Sequence, residues 1–72
     1  MKTFLNNKIN LCENSKLYLY AEFYRNILKA YDKCTLDQFK KLIDFNIECS
    51  NYYFMNSLLE IKHHKTINKQ QN

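Results

Sequence analysis

TLDQFKKLIDFNIECSNYYFMNSLLEIK, residues 35–62, is the stretch whose periodicity decides the fold. It opens on Thr35 with Gln38 three residues on, the spacing of a capping box, and Asp37 complements the positive end of a helix in its first turn. Leu36, Phe39, Ile43, Ile47, Ser50, Phe54, Leu58 and Ile61 then recur in steps of three and four residues, which puts them on one helix face. No Gly or Pro interrupts the run, so it reads as one helix, roughly 40 Å long at 1.5 Å per residue. A second stripe lies about a third of a turn away: Leu42, Phe45, Cys49, Tyr52 and Tyr53, with Asn56 and Leu59 beyond. A single antiparallel neighbour packed on the first stripe cannot cover the second, which either residues 1–14 or another chain must then cover.

The neighbour that the pattern supplies is residues 15–33. Ser15 is a favourable N-cap residue. Leu17, Leu19, Tyr20, Ala21, Phe23, Tyr24, Ile27, Leu28, Ala30 and Tyr31 cover a far wider arc than the ~100° stripe of a surface helix. This helix is therefore expected to be mostly enclosed, with Tyr20, Tyr24 and Tyr31 in the core. Residues 1–14 read either as a short helix, with Leu5, Ile9 and Cys12 at helical spacing, or as an extended arm, since three Asn weaken the pattern. Residues 63–72 form a polar, basic tail that carries a lone Ile67. The expected architecture is all-α: an antiparallel helical hairpin of 15–33 and 35–62 in a single small domain, dimerising into a helical bundle.

Composition limits what such a chain does. A domain of 72 residues buries only about 60% of the surface its unfolded form exposes, so partners or staples are common at this size. Cys12, Cys34 and Cys49 are odd in number and lack a CxxC pair, which points to buried thiols in a reducing, cytoplasmic setting rather than to a disulfide framework. The longest wholly apolar runs, 17–21 and 52–55, are too short for a membrane span, and the N-terminal residues lack the apolar segment of a secretory signal. The adjacent His63 and His64 point about 100° apart on a helix, so no metal or other cofactor is expected. Seven scattered acids without a Gly-rich phosphate loop give no catalytic constellation and no small-molecule site.

Binding is what remains. Leu42, Phe45, Cys49, Tyr52, Tyr53 and Leu59 form the candidate protein interface, because Tyr and Phe bury large areas at low entropic cost. The partner is a second copy, a foreign protein, or both. The lysine-to-arginine ratio of ten to one and the abundant Asn, Ile, Tyr and Phe match an AT-rich genome. Taken with the small size, that favours a phage, viral or mobile-element regulator or inhibitor docking on a host protein. The alternative is a small nucleic-acid-binding regulator. Residues 62–72 carry Lys62, Lys65 and Lys69 with no acid, and these lysines would neutralise phosphates. Against this, arginine occurs once, and the polar face of 35–62 alternates Asp37, Lys40, Lys41, Asp44 and Glu48 instead of presenting a basic front. Contact with a membrane surface, through the wide apolar arc of 15–33 and nearby lysines, is a minor third reading.

Overall fold

The computed structural model describes residues 1–49 and 52–68, and those residues are mainly helical, with no strand among them. Five helices follow in order: α1 (Lys2–Asn14), α2 (Tyr18–Lys33), α3 (Leu36–Cys49), α4 (Met55–Lys62) and α5 (Lys65–Asn68). They fall into two compact units, Met1–Lys33 and Cys34–Asn72.

In the first unit α1 packs on α2. The segment left open between arm and helix is a full helix, and it is α1 that forms the hairpin with α2, where a pairing of 15–33 with 35–62 was expected. The reason lies in the spacing of Leu5, Ile9 and Cys12. These three form one narrow buried stripe, and Ala21, Tyr24 and Ile27 of α2 are the unit's other buried side chains. The polar Asn residues at 6, 7 and 10 fall on the exposed side, where their weak helix propensity is tolerated. Lys2 Nζ meets Asp32 Oδ1 at 2.9 Å, which ties the start of α1 to the end of α2 and marks the pair as antiparallel.

The link between these helices corrects a second expectation. Ser15 does not cap α2; it closes α1. Lys16 N–H donates to Glu13 O at 3.1 Å and Leu17 N–H donates to Cys12 O at 2.7 Å, the paired bonds of a Schellman motif. That motif needs a left-handed residue after the C-cap, and Lys16 takes it with φ 60°. Glycine is the usual occupant because a Cβ crowds the carbonyl there. Lys16→Gly should therefore raise stability by roughly 0.5–1 kcal/mol, less than the full steric relief because glycine also loosens the unfolded chain. Urea denaturation gives the check: a lower midpoint for Lys16→Gly would contradict the strained assignment.

In the second unit the capping box forms as its spacing predicts. Gln38 N–H donates to Thr35 Oγ1 at 3.1 Å, and Thr35 N–H donates to Gln38 Oε1 at 2.9 Å. The single helix expected over 35–62 is not found. Residues 52–54 are a turn, and α4 folds back so that it packs on α3, with Lys62 Nζ 3.1 Å from Asp44 Oδ1. The first stripe is still the core: Phe39, Ile43, Leu58 and Ile61 are at most 1% exposed. Breaking the helix lets the two halves of that stripe bury each other, which a continuous helix cannot do without a partner. The described turn is Tyr52, Tyr53 and Phe54, all from the weaker half of the helix-propensity scale. Ser50, assigned to the seam from its spacing, lies outside the described residues. Ile67 of α5 completes the buried set.

Candidate association surface

Helix α3 carries Leu42, Phe45 and Cys49 at i, i+3 and i+7, which places them on one face. Leu42, nearest the core, is half-buried, whereas Phe45 is 61% exposed and the Cys49 thiol is exposed and unbridged. The turn that follows presents Tyr52 at 94% and Tyr53 at 51% exposure. Tyr53 is braced from behind by the half-buried Phe54, ring edge to ring face at 5.0 Å and 74°. Leu59, 37% exposed, comes from α4. Because 35–62 is two helices, Leu59 no longer continues the helix face that holds Phe45, and the candidate residues are divided among α3, the turn and α4 instead of lying on one stripe.

Two ion pairs belong to the same helices: Lys41 Nζ lies 3.7 Å from Asp37 Oδ2 within α3, and Lys62 of α4 pairs with Asp44 of α3. Exposed pairs of this kind add little stability. The thiols depart from the expectation that all three are buried: Cys12 is buried, Cys34 half-buried and Cys49 exposed.

The basic residues assigned to nucleic acid are distributed differently. Lys62 is engaged with Asp44, Lys65 is exposed at the start of α5, and Lys69 lies outside the described residues. Among the described residues no three His, Cys, Asp or Glu side chains gather in a metal-binding group.

Sequence reasoning missed two features. One is the role of His64, whose ring Nδ1 accepts the Thr66 N–H at 3.1 Å and so caps the first turn of α5. Desolvation lowers the His64 pKa below the ordinary 6.5, and Lys65 adds to the shift. The folded chain thus binds fewer protons at His64 than the unfolded chain. The contribution of this cap is complete above pH 6.5 and is lost as pH falls from there through the lower folded value. Amide exchange should show the Thr66 N–H losing protection between about pH 7 and pH 5, with the Phe39 N–H unaffected; no differential loss would rule the cap out. Nothing in the spacing marks this cap, because a backbone N–H lies two residues after any histidine in a chain without Pro.

The other feature is at the end of the first hairpin. Leu17 and Leu19, placed in the enclosed arc, are 50% and 58% exposed, and Leu11 and Tyr18 are 60% and 63% exposed. The available signal was the run Leu-Tyr-Leu-Tyr-Ala at 17–21: five consecutive apolar residues span the whole helix circumference, so one neighbour cannot bury them all. No family model matches this chain, and no curated protein or solved structure matches it, so its function is argued from its own residues.

Proposed function

We propose that this protein is a small non-catalytic regulator or inhibitor that works by binding another protein through the apolar–aromatic surface of α3, the 52–54 turn and α4. One observation carries the reading: Phe45, Tyr52 and Tyr53 are each more than half exposed within nine residues, while Phe39 and Ile43 on the same helix are buried. Exposed aromatic residues in a cluster mark interaction sites more often than scattered single residues do. The partner is a host protein of a phage, virus or mobile element, a reading supported by the AT-rich residue bias and the small size. Without that partner, the same surface pairs two copies of the chain, because a chain this small has few other ways to cover it.

The test is self-association measured by sedimentation equilibrium at low and high salt. Apolar docking should change little between 50 and 500 mM salt, whereas contact through the basic residues to an anionic partner weakens steeply over roughly that range. Phe45→Ala with Tyr53→Ala should weaken self-association at least about tenfold, the equivalent of roughly 1.4 kcal/mol. Association that survives both substitutions would show that the surface is not the contact.

A further inference from the structure

The face of α3 that carries Phe45 has two unlike flanks. Lys41 and Glu48 are two helix turns apart, so they share one flank and bracket Phe45, roughly 10 Å from each other along the axis. Leu42 and Cys49 repeat that spacing on the opposite flank. One flank is thus charged and the other apolar, while Phe39 and Ile43 point away from both into the core. Of the three acids of α3, Asp37 lies 3.7 Å from Lys41 and Asp44 lies 3.1 Å from Lys62. The third, Glu48, is exposed and joins no ion pair among the described residues. Lys41 is 80% exposed in its side chain, so its ammonium keeps most of its surface for a further carboxylate.

Two copies of such a face fit in one direction. A twofold axis crossing α3 at Phe45 reverses the helix direction and keeps like flanks together. Lys41 of each copy then faces Glu48 of the other, and Leu42 faces Cys49. A parallel pair exchanges the flanks instead. It sets the charged flank of one copy against the apolar flank of the other and desolvates charges that gain no partner. The unit that carries α3, Cys34–Asn72, holds five lysines and four acids, so it has little net charge to oppose a like copy.

We propose, resting on the association surface assigned above, that a second copy of this chain docks on α3 antiparallel about Phe45, with Lys41 of each copy paired to Glu48 of the other. Ion pairs at the rim of a contact add little affinity, so these two set the direction of docking while the apolar groups set its strength.

The experiment is sedimentation equilibrium of the full chain, of Lys41→Glu, of Glu48→Lys and of an equimolar mixture of the two variants, at about 100 mM salt. Each variant alone sets like charges opposite each other at both symmetry-related contacts. Each should associate at least about fivefold more weakly than the unaltered chain, with its helical circular dichroism retained. In the mixture one variant supplies both carboxylates and the other both ammonium groups, so opposite charges meet again. Association should then return to within about twofold of the unaltered chain. An effect of net charge alone runs differently, because Lys41→Glu lowers the positive surplus and would strengthen pairing. Variants that associate as the unaltered chain does, or a mixture no stronger than its components, would overturn the antiparallel contact. If Phe45→Glu nonetheless abolishes association, the α3 surface stands and its direction is wrong. If Phe45→Glu leaves association intact, the surface itself is wrong. An unaltered chain that is monomeric at every concentration would also overturn the proposal, since the occupant is then a foreign protein and not a second copy.

Discussion

Phe39→Ala is expected to unfold the second unit, while Phe45→Ala, six residues along the same helix, leaves it folded. Phe39 is fully buried with Ile43, Leu58 and Ile61. Truncating a buried phenylalanine removes its transfer energy and leaves a cavity, a loss of about 3–5 kcal/mol. Domains are stable by roughly 0.05–0.15 kcal/mol per residue, so the second unit, Cys34–Asn72, has only about 2–6 kcal/mol in reserve. The predicted outcome is loss of close to half of the helical signal at 25 °C, the share carried by α3, α4 and α5, or a urea midpoint near zero for that unit. Phe45 has most of its ring in water, so its truncation should change stability by less than about 1 kcal/mol. Circular dichroism during urea titration of both variants measures the contrast. Comparable losses would mean that Phe45 is a core residue and the association surface does not exist as described.

The second large effect is on association. Phe45→Glu puts a charge on the exposed face of α3, between Leu42 and Cys49 in the i, i+3, i+7 row. In a desolvated contact an unpaired carboxylate is far costlier than a missing ring, because it must give up its hydration or force water into the interface. In the free chain the same carboxylate stays hydrated, so folding is expected to change little. Self-association should consequently be undetectable at concentrations where the unaltered chain pairs. Rescue by a modest rise in salt is not expected, since the penalty is desolvation and not a long-range field. A Phe45→Glu chain that still pairs would place the contact elsewhere.

How much of this was legible beforehand can be followed residue by residue. The helical class, the Thr35–Gln38 box and the buried stripe of Phe39, Ile43, Leu58 and Ile61 follow from local rules that tertiary packing did not overturn. A second apolar stripe exceeds what one neighbour covers, but spacing left open whether residues 1–14 cover it, and only the structure shows Phe45, Tyr52 and Tyr53 exposed. What could not be read was the partner of each stripe. Periodicity says that Leu58 lies on the face of Phe39, but it does not say whether a turn intervenes and brings one onto the other. The aromatic run at 52–54 has β-branch-like crowding at χ1 and weak helix propensity, yet nothing local marks it as a turn in a chain without Gly or Pro. The α1–α2 link was misread for the same reason. Ser15 has the chemistry of an N-cap, and only the three-dimensional bonds of Lys16 and Leu17 show it as a C-cap followed by a left-handed lysine.

Static light scattering of the unaltered chain and of Phe45→Glu, each across a hundredfold range of concentration, puts the association surface to the most direct test. The unaltered chain should rise from 8.8 kDa toward twice that mass as concentration increases, while Phe45→Glu remains at 8.8 kDa throughout. An unaltered chain that stays at 8.8 kDa at every concentration would contradict self-association, and a mass that rises equally in both would contradict the surface assigned to it.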